Sequence, residues 1–339
     1  AVAPTSSPTS VTVSGKSYEI ETSSAAYALS DLGTFEVGDA VTLLLGRDGK
    51  VAAAVTPGQA ASDTVWGLVL SSTPQTFTDK NGNDYTTAAI SVLATDGSTY
   101  TYSVDRATIQ PGALVQVTSS AAGVEVKALP SANLSGTVSA DGQRLGSLTF
   151  AADVEILDVY GEKGVRVYPE RLAGMELTRS MVRYYLLDGS GNISRLILSD
   201  ATGDMHTYGV ITSVREVGNT GGSDTSGTYV YDVGGTTATL TGGRVYKVLP
   251  GPFQMKTDGE EVDRFVNLTS VHLDSVDGAT AYGGNRQYAI WDDVLVYQVD
   301  GDRYYPTSLS LVTDGSYSLT GYYDKDQSQG GRIRVILAR

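Results

Sequence analysis

The dipeptide Asp-Gly recurs along this chain and constrains the fold more than any other sequence feature. It occurs eight times, with the aspartate at positions 48, 96, 141, 188, 258, 277, 300 and 314. Both residues accept the positive φ angles of a tight type I′ turn, so Asp-Gly between apolar segments predicts a β-hairpin. Asn81-Gly82 adds a ninth turn of this kind. Because no 3.6-residue apolar periodicity continues for a dozen residues, parallel sheets with long crossover helices are disfavoured.

The chain also repeats itself, which indicates tandem modules. Residues 150–198 and 288–337 share an apolar first strand, a Tyr-Pro-x-x-Leu centre and a closing hairpin. A second pattern, x-Gly-x-Val/Ile-x-Ser, begins near positions 66, 136 and 209. These features predict an all-β protein of tandem antiparallel barrels or sandwiches, of the size of SH3-like or OB-like folds. Short helices are expected at most at 23–32 and 169–181.

Seams rich in proline and small polar residues divide the predicted modules. We expect a linker at 1–10 and β-modules at 11–60, 63–130 and 133–200. The remaining stretch, 205–339, is predicted to be a fourth module with an insertion at about 241–286, or a fourth and a degenerate fifth module.

The composition excludes several classes of function. There are 24 Lys and Arg residues against 38 Asp and Glu, a net charge of −14, which argues against binding nucleic acid or anionic lipid. The chain has no cysteine, so it has no disulfide, thiolate metal site or cysteine nucleophile. No apolar stretch reaches the roughly 18 residues needed to span a bilayer. With strands rich in Ser, Thr, Gly, Asp and Tyr, this favours an exported bacterial protein with cell-envelope proteins or glycans as partners.

The sequence offers little catalytic chemistry. The two histidines, His206 and His272, lack the spacing of a metal site. The adjacent acids at 260–261 and 292–293 would point to opposite faces of a strand and could not act as a glycosidase pair. A polysaccharide-degrading enzyme would require two acids, or one acid and His272, to converge in a pocket of the long fourth module. The prediction is therefore a protein without catalysis or cofactor.

Calcium is the one metal that the sequence leaves open. The predicted turn at 79–84 carries oxygen ligands at its positions 1, 3, 5 and 6, from Asp79, Asn81, Asn83 and Asp84. An EF-hand loop requires Gly at its sixth position and Glu at its twelfth, where this chain has Asp84 and Ile90. A polar hairpin turn is the favoured interpretation.

Aromatic residues form the strongest candidate for a binding site. The candidates are Trp291, Tyr304, Tyr305, Tyr322 and Tyr323. Flat rings can stack on the apolar faces of sugars, and a carbohydrate-binding module would expose these rings in a groove. Packing within and around a β-sheet core is the alternative, and it would bury them.

Three features together resemble a known class of surface protein. They are the x-Gly-x-Val-x-Ser opening strands, the lead-in Gly38-Asp39-Ala40-Val41 and the Asp-Gly hairpins. They resemble the β-rich repeat regions of S-layer-homology surface proteins of Gram-positive gut bacteria, over most of residues 11–339. The resemblance implies an extracellular structural, spacer or assembly module, anchored to the wall by a region outside 1–339. A carbohydrate-binding or adhesive module is the alternative.

Overall fold

A computed structural model describes residues 8–13, 15–30, 33, 35, 37–39, 41–46, 48–55, 64–78, 84–104, 109–120, 123–217 and 225–339. Within these ranges the chain forms β-sheets and two short α-helices, α1 (Ser23–Ala28) and α2 (Pro169–Leu172). The all-β class predicted from the sequence is thereby confirmed. Both helices begin at the first residue of the segments where the sequence allowed one. No helix in the described ranges is long and apolar enough to span a bilayer.

The chain divides into two compact units, residues 1–131 and 132–339. The first unit begins with two antiparallel hairpins, β1 (Ser10–Val13) with β2 (Lys16–Glu19) and β3 (Thr42–Leu45) with β4 (Val51–Val55). Helix α1 lies between these hairpins in the chain, and its residue Ala25 is buried together with Leu29 and Val51. The hydroxyl of Thr22 caps this helix by accepting a hydrogen bond from the backbone N–H of Ala25.

Each unit contains one five-stranded antiparallel sheet, and the two sheets share a topology. The first consists of β5 (Thr64–Thr78), β6 (Asp84–Ala94), β7 (Thr99–Val104), β8 (Leu114–Ser120) and β9 (Gly123–Ala128). The second consists of β17 (Thr207–Val217), β18 (Ser226–Val233), β19 (Thr236–Gly242), β20 (Gly251–Asp258) and β21 (Glu261–Asn267). In both, the first strand lies in the middle, the next two extend one side, and the last two extend the other.

The central strands of these sheets carry the same bulge. The ladder of β5 with β6 is irregular between Val69 and Ser71, and the ladder of β17 with β18 is irregular between Ile211 and Ser213. These residues belong to two copies of the x-Gly-x-Val/Ile-x-Ser pattern, 142 residues apart (211 − 69 and 213 − 71). The pattern near position 136 falls instead on β10 (Gly136–Thr137), which pairs with β14 (Glu176–Leu177).

The second unit contains two further modules that copy one another, here called the first crossover module (148–199) and the second crossover module (286–338). The first consists of β12 (Leu148–Tyr160), β13 (Lys163–Val167), α2, β15 (Val182–Leu187) and β16 (Ile193–Ser199). The second consists of β25 (Arg286–Asp300), β26 (Arg303–Thr307), a 3-10 turn at Leu309–Leu311, β27 (Leu319–Tyr323) and β28 (Ile333–Ala338). Short strands complete the sheets: β11 (Arg144–Leu145) pairs with β12, β22 (Thr269–Leu273) with β27, and β23 (Ser275–Asp277) with β24 (Thr280–Gly283), which pairs with β25.

The strand pairings of the two crossover modules agree residue by residue. In each, the long first strand pairs in parallel with the last strand, starting with Phe150 opposite Ile193 and with Ile290 opposite Ile333. Both partners are shifted by 140 residues (290 − 150 and 333 − 193). An irregularity follows these first pairs in both copies. The repeat in the sequence is therefore a repeat of backbone pairing.

The two parallel pairs correct the expectation of antiparallel strands throughout. A parallel pair needs a crossover connection, and no long helix is present among the described residues to provide it. The connection is made by a short strand, a single helical turn and a return strand, which give no sustained helical periodicity. Residues 205–339 hold one five-stranded sheet and one crossover module. The predicted module boundaries stay predictions.

The Asp-Gly dipeptides lie largely where hairpins were predicted. Those at 48, 96, 188, 258, 277 and 300 connect adjacent paired strands. The carboxylates of Asp96, Asp188 and Asp314 each accept a hydrogen bond from the backbone N–H two residues later, at 2.7 to 2.9 Å. Such a bond fixes the turn locally without tertiary contacts. Asn81-Gly82 lies outside the described residues.

The glycine of the x-Gly-x-Val/Ile-x-Ser pattern in β17, Gly209, has no room for a side chain. A Cβ on Gly209 would lie 2.2 Å from the carbonyl oxygen of Asp232 and 3.0 Å from the ring of Phe253. We expect Gly209→Ala to lower the free energy of unfolding by about 1–3 kcal/mol, because neither neighbour can move cheaply. Gly242→Ala is the matched control, since a Cβ there meets nothing within 4 Å and should change stability by less than about 0.5 kcal/mol.

The measurement is urea unfolding followed by tryptophan fluorescence. The chain has two tryptophans, so a Trp66→Phe background leaves Trp291 as the sole reporter of the second unit. Equal effects of the two glycine substitutions would contradict the steric argument.

Candidate functional site

The second unit is built around one buried cation, Arg334 in β28. Its side chain is 0% exposed, and that of Asp324, which follows β27, is 1% exposed. The guanidinium donates to Asp324 Oδ2 through Nε at 3.1 Å and Nη2 at 3.0 Å. It also donates through Nη1 to Asp204 Oδ1 at 2.6 Å. Two carboxylates therefore neutralise a charge that burial would otherwise make very costly.

Two aromatic rings complete the surroundings of Arg334. The guanidinium carbon lies 4.8 Å from the centroid of Tyr208 and 5.0 Å from that of Trp291. The two rings meet edge to face at 5.4 Å. Here we call Arg334, Asp324, Asp204, Tyr208 and Trp291 the Arg334 cluster. Burial alone would lower the pKa of Arg334, but the Tyr208 oxygen and the two carboxylates hold it above the ordinary value.

The Arg334 cluster connects successive parts of the second unit. Arg171, from α2 of the first crossover module, makes a two-pronged ion pair with Asp204 at 2.8 and 2.9 Å. Asp204 belongs to the connector, residues 200–206, between β16 and β17. Tyr208 belongs to the second five-stranded sheet, and Trp291 and Asp324 belong to the second crossover module. One hydrogen-bonded network thus joins three modules.

A second buried network fixes the connector. Asp158 of β12 accepts hydrogen bonds from the N–H of Ala201 at 3.0 Å and from the N–H and hydroxyl of Thr202, both at 2.7 Å. Burial nevertheless raises the pKa of Asp158. Lys325 donates from the other side to the carbonyl oxygens of Asp200 and Ala201 at 3.1 and 2.9 Å.

Asp200 closes this second network. It adopts a left-handed backbone conformation with φ of 52°. Its carboxylate lies 2.7 Å from Nε2 of His206 and forms an ion pair with Lys256 of β20. Burial alone would raise the pKa of Asp200, but the hydrogen bonds from His206 and Lys256 outweigh it and lower the pKa to about 2.

Asp324 has a counterpart in the first crossover module. Asp188 follows β15 and accepts a hydrogen bond from the N–H of Asn192 at 2.9 Å. Asp324 follows β27 and accepts one from the N–H of Arg332 at 3.1 Å. Asn192 and Arg332 occupy equivalent places, one residue before the paired residues Ile193 and Ile333. The second turn is four residues longer (332 − 324 against 192 − 188), and the addition includes a 3-10 turn at Gln327–Gln329.

The longer turn forms one wall of a cleft with a volume of about 280 Å³. The start of β25 and Tyr323 form the opposite wall, and we call the space the Arg332 cleft. It is lined by Arg286, Gln287, Tyr288, Ala289, Tyr323, Lys325, Asp326, Gln327, Ser328, Gly331, Arg332 and Ile333. The rings of Tyr288 and Tyr323 lie 5.5 Å apart, inclined at 36°. Burial and the nearby charge of Arg171 lower the pKa of Arg332 to about 10, so the guanidinium stays charged at neutral pH.

The structure separates the five aromatic residues singled out in the sequence. Trp291, Tyr304 and Tyr322 are partly buried and pack against one core cluster, with Tyr304 also 6.2 Å from the ring of Tyr297. Tyr305 is 45% exposed and lies on the outside of β26. Of the five, Tyr323 alone lines the Arg332 cleft.

The other candidates occupy unremarkable places. His272 is exposed on β22, and Asp292, Asp293, Glu260 and Glu261 are exposed on strands or turns. None of these five residues lines the Arg332 cleft. Within the described part of the chain, no group of three His, Cys, Asp or Glu residues could hold a metal ion. Of the proposed calcium ligands, Asp79, Asn81 and Asn83 lie outside the described residues, as does the side chain of Asp84.

Sequence reasoning missed Arg334 and Arg332, although the repeat contained a signal for both. The 140-residue shift aligns Arg334 with Ser194 and Trp291 with Ala151. A large aromatic residue and an arginine thus replace two small residues at equivalent positions of the second copy. The longer turn after Asp324 is a further signal, since it exceeds its counterpart after Asp188 by four residues (332 − 324 against 192 − 188).

Comparisons with protein-family models, with curated proteins and with solved structures found no match for this chain. The resemblance to S-layer-homology repeat regions therefore stays a prediction.

Removal of the buried cation should destabilise the second unit. We expect Arg334→Met to lower the free energy of unfolding by about 3–5 kcal/mol, because Asp324 would stay buried without its cation, although Asp204 would keep Arg171. Urea unfolding in the Trp66→Phe background measures this loss. The control is Arg303→Met, which removes an exposed charge from the β25–β26 turn and should have little effect. A loss below about 1 kcal/mol for Arg334→Met would overturn the assigned role of the cluster.

The lowered pKa of Asp200 predicts how the free energy of unfolding changes in acid. Its pKa of about 2 in the folded state lies below the value of about 3.9 expected in an unfolded chain. Between these values the unfolded chain binds more protons, so stability rises with pH, and the contribution of Asp200 is lost as pH falls from about 4 to about 2. That contribution is on the order of 2 kcal/mol.

Thermal unfolding between pH 2 and pH 6 checks this dependence. Asp200→Asn should be less stable than the parent at pH 6 and should show a shallower slope between pH 4 and pH 2. Asp302→Asn, which removes an exposed carboxylate, should keep the parental slope. If Asp200→Asn also keeps the parental slope, Asp200 is not the source of this pH dependence.

Proposed function

We propose that the chain is a non-catalytic structural module of a bacterial cell-envelope protein, acting as an extracellular spacer or assembly module of the S-layer type. The observation that supports this most is the Arg334 cluster, which hydrogen-bonds three successive β-modules to one another. A spacer must transmit force and keep its length, and flexible joints between modules would prevent both. Buried, charge-assisted hydrogen bonds at a joint resist bending, because opening them exposes or orphans charges.

The composition supports the same proposal. A net charge of −14 keeps a surface protein soluble, and short strands joined by tight turns need no disulfide to form. Its partners would be other envelope proteins or glycans.

A carbohydrate-binding or adhesive role is a second candidate, and one observation favours it. The Arg332 cleft combines two half-buried tyrosine rings with several polar side chains in a concave surface. Concave sites with aromatic walls and a few converging polar groups are the usual form of small-molecule sites. A spacer that also binds envelope glycan would unite the two roles.

Single-molecule pulling between the chain ends tests the spacer proposal. The second unit spans 208 residues (339 − 132 + 1), so unfolding it in one step should lengthen the tether by at most about 75 nm, at roughly 3.6 Å per residue. Arg334→Met should split this step into smaller ones at lower force, whereas Arg303→Met should leave it whole. Stepwise unfolding of the parent at low force would contradict a rigid spacer.

A further inference from the structure

We infer that the Arg332 cleft binds an acidic saccharide, with the sugar against Tyr288 and Tyr323 and its carboxylate at Arg332 and Arg286. This inference rests on the second candidate function, carbohydrate binding, and specifies the chemical class of its ligand. Four properties of the cleft support it: its charge, its rigidity, its walls and its size.

The cleft is lined by more cations than anions, in a protein that is acidic overall. Arg286, Lys325 and Arg332 line it, against one acid, Asp326. Lys325 is committed to two backbone carbonyl oxygens. Within the described ranges neither Arg286 nor Arg332 takes part in an ion pair, and the hydrogen bond that the Arg332 side chain makes there is a long one, 3.5 Å to the carbonyl oxygen of Ile290. A planar guanidinium presents paired donors that match the two oxygens of a carboxylate.

The turn that carries Arg332 is held in place from several sides. Asp324 Oδ1 accepts the N–H groups of both Lys325 and Arg332, while Oδ2 accepts from Arg334. Gln327 Oε1 accepts the N–H of Ala289 at 3.1 Å, which ties the turn to β25. A binding site fixed before the ligand arrives loses less conformational entropy on binding.

Glycines allow the turn to pack this closely. Gly330 has φ of 92°, and a Cβ there would lie 2.2 Å from the carbonyl oxygen of Ala201. A Cβ on Gly331 would lie 1.7 Å from the carbonyl oxygen of Lys325. The expanded turn therefore rests directly on the connector, and the position of Arg332 is determined by the fold.

The walls of the cleft suit a sugar. Tyr288 and Tyr323 line it with half-buried rings, and their hydroxyl groups can donate or accept hydrogen bonds. Gln287 and Ser328 add neutral polar groups, and Asp326 can accept hydrogen bonds from sugar hydroxyls. Wholly apolar ligands would leave all of these groups unpaired, and simple inorganic anions would not use the rings.

The volume of about 280 Å³ limits the ligand to one or two sugar rings. The net charge of −14 repels an anion at long range, so the attraction must come from the two arginines at short range. We therefore expect binding that weakens with salt, because exposed Arg286 is screened by counterions.

The test is calorimetric titration of the full chain with α-1,4-digalacturonic acid and with the neutral α-1,4-galactobiose, matched in linkage. The acidic disaccharide should bind, and the neutral one should bind at least tenfold more weakly, because it cannot form the charge-assisted hydrogen bonds between a carboxylate and the two arginines. Arg332→Gln and Arg286→Gln should each weaken binding of the acid about tenfold. Arg303→Gln, an exposed arginine on β26 outside the cleft, is the control and should bind like the parent.

The possible outcomes test the acidic ligand, the cleft as its site and carbohydrate binding itself. Equal binding of both disaccharides, unaffected by the arginine substitutions, would overturn the acidic ligand and leave carbohydrate binding standing. Binding of the acid that survives Arg286→Gln and Arg332→Gln would overturn this cleft as the site. No binding of either disaccharide at 10 mM would overturn both the inference and the carbohydrate-binding proposal. Arg286→Gln removes an exposed side chain, so a folding defect cannot account for its effect.

Discussion

The buried pair of Arg334 and Asp324 is the interaction on which the second unit depends. One carboxylate does two things at once, because Oδ1 accepts the backbone of the turn and Oδ2 accepts the guanidinium. Neither group could be buried alone, since an isolated charge loses several kcal/mol of solvation. The turn, the arginine and the neighbouring module therefore form together or not at all. Apolar side chains could fill the same volume as Arg334 and Asp324. They would not, however, select one carboxylate of the connector, as Arg334 selects Asp204 by hydrogen bonding.

Duplication explains how such a site could arise on a stable frame. The first crossover module has the same strand pairing and the same capping aspartate, Asp188, but its turn is short and exposed. The second copy keeps the frame and changes three features: Ser194 corresponds to Arg334, Ala151 to Trp291, and the turn grows by four residues (332 − 324 against 192 − 188). A turn tolerates added residues because the strands on either side set its ends. The Arg332 cleft, which is the candidate binding site, therefore lies at the turn where the two copies differ most in length.

Local chemistry made much of the fold predictable. Asp-Gly turns, the starts of both helices and the paired segments 150–198 and 288–337 follow from short-range rules, and the structure places hairpins and helices there. The length of the repeat was harder to infer. Modules of two kinds alternate, so equivalent residues of two copies lie about 140 residues apart, about twice the length of one predicted module. Parallel pairing was not inferred, because a short apolar run indicates a buried strand but not the strand with which it pairs. The site was least predictable, since Arg334, Asp204 and Tyr208 meet only through tertiary structure.

The sequence distance across the Arg334 cluster also sets the order in which the second unit can fold. Arg334 binds an aspartate 130 residues earlier in the chain, so a ribosome must deliver nearly the whole unit before the pair can close. Until then Asp204 and Arg171 can pair with each other, and the hairpins can form locally at their tight turns. Contacts of such long range slow folding, because the chain must lose the entropy of closing a large loop first. We therefore expect β28 to dock late and cooperatively, and until it docks the strands β25 and β27 lack the neighbour that pairs with both of them.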